Sequence, residues 1–232
     1  MDISSAIAEA FRLLLAGDAD LWLIVWVSLK VGVLGLLLAT LPAVPLAYLI
    51  ATHDFPGRRV VVVIAQAFLS FPTVLVGLIL YLLLSRQGPL GPLGLLFTQG
   101  GMILGQAAIG FPVVLAFSLA ALQAADVRLR ETALVLGASR LGAMWTVLRE
   151  LRFGLFAAVV AGFGRVIAEV GSALMIGGNI EGTTRTITTA IALETSKGEF
   201  AQGIALGIVL VALALIINVL LAWLQGAGGF RR

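Results

Sequence analysis

Long apolar segments alternate with short polar ones along this chain, and five of them are long enough to cross a membrane. A helix needs roughly 20 apolar residues to span the ~30 Å hydrocarbon core of a bilayer. The candidate spans lie at about 21–51, 60–84, 102–124, 153–177 and 202–225. The last of them, QGIALGIVLVALALIINVLLAWLQ, contains no charged residue. The pattern predicts an all-α integral membrane protein, a bundle of five spanning helices.

Two shorter apolar patterns lie outside these spans. Within residues 1–20, apolar side chains recur at helical spacing (Ile3, Ile7, Ala10, Leu14), which predicts a helix lying on the outer membrane surface. An ordinary first turn that leads into the first span fits the same residues. The ten residues of TITTAIALET (186–195) are too few to span, so they predict a short helix that lies on or dips into the outer face.

Composition agrees with a membrane protein and excludes an ordinary soluble domain. Hydrophobic residues make up 60% of the 232 residues, charged residues only 12%, and the mean hydropathy is +1.10. No basic segment precedes a cleavage site, so we expect no removable signal peptide. The chain lacks cysteine, which excludes disulfides and thiol chemistry.

The distribution of arginine and lysine predicts which side of the membrane each loop faces. With five spans, the two termini lie on opposite sides. If the N-terminus is outside, the inner segments hold nine of the fifteen basic residues and the outer segments hold four; the inner segments are 53–59, 125–152 and 226–232. This bias follows the positive-inside rule. We therefore expect a multi-pass protein of a prokaryotic plasma membrane, with the short tail 226–232 in the cytoplasm.

Proline and glycine interrupt three of the spans. Pro42 and Pro45 lie in the first span, Pro72 in the second, and Gly110 with Pro112 in the third. Proline removes a backbone hydrogen bond and kinks a helix. In lipid this is tolerated where neighbouring helices or a water-filled cavity satisfy the freed carbonyl. Three kinked spans favour a protein that moves or encloses a path, although static bundles contain kinks as well.

The longest polar stretch, residues 125–152, carries five arginines and yet has the pattern of a helix. Leu129, Ala133 and Leu136 share one helical face. Gly137 allows a bend before a second helix that starts near Ser139. A surface that mixes apolar and charged side chains suits docking into a groove of another protein. A solvated loop explains the pattern equally well.

This stretch resembles the EAA signature of ABC-importer permeases. In that signature Glu-Ala-Ala is followed after three residues by Gly and, after nine more, by Ile-x-Leu-Pro. The chain has ETA (131–133), Gly137 and Val147 in the corresponding places, and RE (149–150) where Leu-Pro is usual. The missing Leu-Pro would let the segment run on as a continuous helix into the fourth span.

Other stretches resemble the same family. The permeases for molybdate, sulfate and tungstate have counterparts of PLAYLIATHDFPGRR (45–59), DVRLRETALVLGAS (126–139) and GRVIAEVGSALMIGGNI (164–180). A fourth stretch, TRTITTAIALETSKGEF (184–200), is most similar to the tungstate members. The chain is identified as a member of this MetI-like, type I family, with a permease domain over about 21–225.

The resemblance implies a homodimer of permease subunits, two cytoplasmic ABC ATPase subunits and an extracytoplasmic oxyanion-binding protein. It implies import by alternating access, driven by the partner ATPases. The imported oxyanion that it favours is tungstate, with molybdate or sulfate as alternatives. The residues that it implies for coupling to the ATPase are Asp126, Arg128, Glu131, Ala133 and Gly137. ATP and Mg would be used by the partner, and we expect this chain to bind no cofactor or metal and to be no enzyme.

Other classes of function lack the residues that they need. A P-loop contains Gly-Lys-Ser/Thr, but neither lysine, Lys30 nor Lys197, follows a glycine, so ATP chemistry must come from a partner. An intramembrane enzyme needs a nucleophile or a metal cluster, but the sole histidine, His53, is far in sequence from any serine elbow. No pattern specifies the pore rings of an ion channel. The sequence pI near 10.0 reflects cytoplasmic arginines rather than a nucleic-acid surface.

The polar loop GNIEGTTRTITT (178–189) is one candidate for contact with the transported anion. Its hydroxyls and its single guanidinium suit transient handling of a tetrahedral oxyanion. The residues in question are Asn179, Thr183, Thr184 and Arg185. The alternative is that the threonines cap a short outer helix while Arg185 is solvated.

The fourth span contains a second candidate, a translocation path or gate formed by Arg165, Glu169, Gly171 and Ser172. On a continuous helix from residue 153, Arg165 and Glu169 lie about 18 and 24 Å along the span, on one face, so they can pair. A charge at such depth costs at least ~2.5–3.5 kcal/mol, which favours a functional role. A packing salt bridge at the dimer interface is the alternative.

Overall fold

The computed structural model describes residues 3–126 and 128–229, and this part of the chain is mostly helical, without a β-strand. Two short 3-10 helices are present at Phe68–Ser70 and Gly91–Leu93. The α-helices of the described residues are α1 (Ile3–Ala16), α2 (Ala19–Thr52), α3 (Arg58–Ala67), α4 (Thr73–Leu84), α5 (Gln99–Gln123), α6 (Arg128–Val135), α7 (Arg140–Glu150), α8 (Arg152–Ile167), α9 (Gly171–Gly177), α10 (Ile187–Lys197) and α11 (Phe200–Gly229).

The membrane crossings are of two kinds. Helices α2, α5 and α11 are each long and apolar enough to cross a bilayer alone. Two further crossings are bent pairs, in which α3 and α4 meet at 95° and α8 and α9 meet at 65°. With each pair counted as one span, the five-span all-α architecture predicted from hydropathy is confirmed.

The second span bends at Pro72. Phe71 takes an extended conformation, with φ −70° and ψ 134°, and Pro72 stands at the residue before α4. Proline disfavours the helical conformation of the preceding residue and has no N–H to donate, so the helix cannot continue through this point. The kink predicted here is therefore a complete break. In contrast, α2 continues through Pro42 and Pro45, and α5 through Pro112.

The fourth span is not the single helix expected from its apolar composition. Helix α8 ends at Ile167 and α9 begins at Gly171, so Glu169 lies in the break between them. The depth assigned to Glu169 along a continuous helix was therefore wrong. The break is stabilised by the side chain of Glu169, which replaces missing backbone hydrogen bonds, as described below.

Helix α5 lies at the centre of the bundle and packs against α2, α8 and α9. Gly35 brings α2 against α5, because a Cβ at this position would lie only 2.6 Å from the Cβ of Gln106. Buried apolar side chains such as Leu36, Val114 and Phe163 fill the space between these helices. The central position of α5 places Gln106 and the break in the fourth span in the interior.

The polar segment between α5 and α8 forms two short helices, α6 and α7, with the predicted bend at Gly137, whose φ is +89°. The Ser139 hydroxyl caps α7 by accepting the N–H of Gly142 at 3.1 Å. Two details differ from the expectation. Leu136 lies beyond the end of α6 and is 81% exposed, instead of sharing the buried face of Ala133. Helix α7 ends at Glu150 rather than running on into the fourth span.

The two short apolar segments that lie outside the spans are helical, as predicted. Helix α1 packs against α11, and α10 packs against α11 and α2. The threonines at the start of α10 form a capping arrangement, in which the hydroxyl of Thr189 accepts the N–H of Thr186 at 2.9 Å. The interfacial position of α1 and the membrane depth of α10 stay predictions.

Candidate translocation site at the break in the fourth span

Glu169 holds the break between α8 and α9 through both of its carboxylate oxygens. Oε1 accepts the backbone N–H of Ser172 at 3.0 Å, which caps the start of α9. Oε2 accepts from Nη1 of Arg165 at 3.3 Å. The side chain of Glu169 is only 3% exposed, whereas that of Arg165 is 39% exposed. The pair predicted from sequence is therefore present, with the carboxylate inside the bundle and the guanidinium at an open surface.

Arg165 lies against a large cavity of about 600 Å³. The cavity begins at the turn between α2 and α3, near His53 and Phe55, and extends along the second span to Phe71 and Thr73. Apart from the hydroxyl of Thr73 its remaining lining is apolar, and Arg165 and His53 are the only ionisable side chains among the described residues that line it. A cavity of this kind offers an anion one cationic contact and little else to hold it.

Glycines bring the two bent spans into contact at the same place. A Cβ on Gly77 of α4 would lie 2.7 Å from the Cα of Ser172, and a Cβ on Gly171 would lie 2.8 Å from Cγ2 of Val74. Because the first clash is with the backbone, side-chain rotation cannot relieve it. Gly171 and Ser172 therefore serve as the contact between the second and fourth spans, next to the Arg165–Glu169 pair.

The backbone of Glu169 is fixed by helix α10. The hydroxyl of Thr188 in α10 donates to the main-chain oxygen of Glu169 at 2.7 Å. Sequence reasoning missed Thr188, since it was counted only among hydroxyls of the polar loop. It also missed Gln106, a buried polar residue in an apolar span. The signal that could have identified Gln106 was an amide side chain in the middle of a spanning segment.

The four candidate anion-handling residues of the loop have varied surroundings. The Thr184 hydroxyl is buried and fully used, donating to Gly177 O at 2.6 Å and accepting from Ile180 N at 2.9 Å. Thr183 is exposed and its hydroxyl donates to the carbonyl of Glu181.

The other two members of this set are partly buried. Arg185 is not solvated, because its side chain is 15% exposed and pairs with Glu181 at 3.5 Å. Asn179 has a positive φ of +52°, and its Nδ2 donates to Thr189 O at 3.4 Å. A role of these four residues in anion handling stays a prediction.

The residues predicted to couple to an ATPase lie together in the polar segment between α5 and α8. Asp126 caps α6, because its Oδ1 accepts the N–H of Arg128 at 2.9 Å. Glu131 is exposed, Ala133 is buried, and Gly137 adopts the left-handed conformation that ends the first helix. Large apolar side chains around them are strongly exposed: Val135 (87%), Leu136 (81%), Leu141 (73%) and Trp145 (68%). Such a patch is typical of a protein-binding surface.

Comparison with known families places this architecture in a defined class. The family of binding-protein-dependent transport system inner membrane components matches residues 43–227, and the chain belongs to this family. It is therefore a multi-pass membrane permease component of an ABC importer, which works with ATPase and binding-protein partners, and it is not an enzyme.

Individual relatives are more specific. The chain is 42% identical over 199 residues to a probable anion ABC transporter permease protein of Haloferax volcanii, covering 84% of this chain and 86% of the relative. The tungstate uptake system permease protein TupB of Campylobacter jejuni is 47% identical over 165 residues (71% and 69% covered). TupB of Peptoclostridium acidaminophilum is 36% identical over 223 residues (94% and 98% covered).

A solved structure has the same fold. The chain matches a subunit of a bacterial ABC transporter involved in the import of the acidic polysaccharide alginate, with a TM-score of 0.64 and 18% identity. The match covers 96% of this chain and 79% of that chain. At this identity the likeness shows the fold alone.

Proposed function

We propose that this chain is the membrane subunit of an importer that moves tungstate into the cytoplasm, and that Arg165 lines the path. The observation that carries the proposal is the 600 Å³ cavity with Arg165 on its wall. The relatives named for tungstate uptake support the choice of substrate. Molybdate and sulfate are the alternative substrates.

The cavity suits passage of an anion rather than its storage. A tetrahedral oxyanion is attracted by a guanidinium, which can donate two parallel hydrogen bonds. Glu169 pairs with the same guanidinium at 3.3 Å and offsets part of its charge, so the anion meets a weakened cation. The rest of the wall is apolar except for His53 and Thr73, so it offers few further hydrogen bonds. Release toward the cytoplasm is then easy, as transport requires.

The cytoplasmic segment is the proposed contact with the ATPase. Its exposed apolar side chains, of which Leu141 and Trp145 lie on α7, form a patch that a cleft on the ATPase would cover. Glu131 and Arg128 lie beside the patch and give the contact its charge specificity. ATP and Mg are held by that partner, and movement of the segment is passed to the spans through α7 and α8.

A second copy of the chain completes the path in this proposal. One chain supplies the walls from α2, α3, α4 and α5 and a single guanidinium. The N-terminus lies outside and the turn at residues 53–57 lies in the cytoplasm, so the cavity opens inward. An extracytoplasmic binding protein delivers the anion to the opposite face.

Uptake by the reconstituted complex tests the proposal. Proteoliposomes would contain the permease with its ATPase and binding protein, and ATP-driven tungstate uptake would be measured with molybdate and sulfate as competitors. We expect tungstate to be imported, Arg165→Gln to lower the rate strongly, and Arg165→Lys to retain part of it. Arg86→Gln is the control, because Arg86 is exposed on another loop. Normal uptake by Arg165→Gln would place the path elsewhere, and preferential uptake of molybdate or sulfate would correct the substrate.

A further inference from the structure

Five polar residues from different parts of the chain meet inside the bundle, and we call them the polar node. They are Ser28 of α2, Gln106 of α5, Glu169 in the break of the fourth span, and Thr186 and Thr188 at the start of α10. None of the five is more than 7% exposed. They surround a cavity of about 10 Å³, which is close to the space that one water molecule needs.

The polar node joins the outer helix α10 to two other elements. The Thr188 hydroxyl donates to Glu169 O at 2.7 Å, across 19 residues of sequence. The hydroxyl of Ser28 accepts the N–H of Ile187 at 2.7 Å, across 159 residues. The first turn of α10 is thus attached both to α2 and to the break between α8 and α9.

Gln106 supplies the second observation. Its Oε1 is buried and has no hydrogen-bond partner within the described part of the chain. Buried amide oxygens are almost always hydrogen-bonded, so this one needs a donor. The cavity beside it is also lined by the hydroxyls of Thr186 and Thr188 and by Glu169. A water there has the two to four polar partners that a buried water requires.

We infer that Thr188, together with Gln106 and one water bound in the polar node, positions Glu169 for its role beside the transport path. This inference rests on the proposed function of Arg165. Thr188 fixes the main chain of Glu169. The water donates to Oε1 of Gln106 and lies against the break that contains Glu169. Thr188 and Gln106 are positioning residues, since they act on the anion only through Glu169 and its partner Arg165.

The contacts described above connect helix α10 to Arg165 at the cavity wall, which matters for transport. Helix α10 is expected at the outer face, where a binding protein would dock. From there Thr188 reaches the turn whose carboxylate caps Ser172 and holds Arg165. A displacement of α10 therefore changes the position of the guanidinium on the cavity wall without a contact between the binding protein and Arg165.

Hydrogen exchange at the start of α9 tests the positioning directly. In the assembled complex, Thr188→Val removes the hydroxyl at nearly constant volume, and Thr188→Ser keeps it. We expect amide exchange in residues 170–174 to be about tenfold faster in Thr188→Val, because the cap on Ser172 is loosened, and nearly unchanged in Thr188→Ser. Thr195→Val is the matched control, since Thr195 lies in the same helix α10 and is exposed.

Transport by the same variants separates positioning from stability. Thr188→Val is expected to lose most of the uptake driven by loaded binding protein while the complex stays assembled, and Thr188→Ser to recover it. Gln106→Met, which removes the acceptor, is expected to shift exchange in 170–174 in the same direction. If Thr188→Val does not assemble, Gln106→Met and Thr188→Ser decide the question. A high-resolution map of the wild-type complex is expected to show a water at Gln106 Oε1.

Several results would overturn the inference. Unchanged exchange and uptake in Thr188→Val, or equal damage in Thr188→Val and Thr188→Ser, would reduce Thr188 to a packing residue. A polar node without water density would remove the role of Gln106. These outcomes leave the proposed function intact as long as Arg165→Gln still abolishes uptake. If Arg165→Gln transports normally instead, the proposed function itself fails.

Discussion

Replacing Glu169 by alanine and, separately, by glutamine tests how the break in the fourth span is stabilised. Alanine removes both the acceptor for Ser172 N–H at 3.0 Å and the ion pair with Arg165 at 3.3 Å. Glutamine keeps an acceptor of the same reach for Ser172, but its NH2 group replaces the oxygen that accepts from Arg165, so the ion pair is lost. The two variants therefore separate the cap on α9 from the ion pair.

The structure indicates which of these two contributions is larger. The Ser172 N–H is buried, and leaving such a donor unpaired costs about 1–3 kcal/mol. The Arg165 side chain is 39% exposed, so its pair with Glu169 is screened and contributes about 0–1 kcal/mol. Glu169→Ala is thus expected to cost roughly 1–4 kcal/mol and Glu169→Gln about 1 kcal/mol or less.

Thermal unfolding of the purified permease measures the difference. A domain of this size loses about 2–4 °C per kcal/mol, so we expect Glu169→Ala to lower Tm by about 2–16 °C and Glu169→Gln by at most about 4 °C. Glu199→Ala is the control, because Glu199 is exposed after α10 and its removal is expected to leave Tm nearly unchanged. Equal losses in the two Glu169 variants would show that the charge, rather than the cap, holds the break.

Two further substitutions test the packing and the coupling segment. Gly77→Ala places a Cβ 2.7 Å from the backbone of Ser172 and is expected to destabilise the permease by about 1–3 kcal/mol. The control, Gly207→Ala, meets nothing within 4 Å and is expected to be neutral in thermal unfolding. Equal Tm values for the two variants would refute the close contact. Gly137→Val forces a branched side chain into φ +89° and is expected to abolish ATPase stimulation by loaded binding protein while membrane insertion is retained; normal stimulation would remove the bend from the coupling mechanism.

The hydropathy pattern was sufficient to predict the number of spans, because an apolar segment of sufficient length has few alternatives to crossing a bilayer. The bend at Gly137 was also predictable, since glycine allows a positive φ. Pro72 signalled the first break for the same kind of local reason. These features depend on residues that are adjacent in sequence.

The break in the fourth span could not be predicted in this way. Residues 153–177 contain no proline, and the end of α8 depends on a carboxylate that caps α9 and on the distant hydroxyl of Thr188. The surroundings of Thr184 could not be predicted for a similar reason. Its hydroxyl bonds Gly177 O and Ile180 N within its own loop. Only the tertiary structure shows which polar atoms are already used.

The cavity beside Arg165 is, in the proposed function, the cytoplasmic half of the transport path. The chain contains no cysteine, so single cysteines can be introduced without background. Thr73→Cys places a thiol on the cavity wall, and Leu215→Cys places one on the exposed apolar face of α11. A membrane-impermeant thiol reagent applied from the cytoplasmic side of the assembled, nucleotide-free complex is expected to modify Thr73→Cys and block uptake, and to leave Leu215→Cys unmodified. An unreactive thiol in a transporting Thr73→Cys complex would show that this cavity is not the cytoplasmic half of the path.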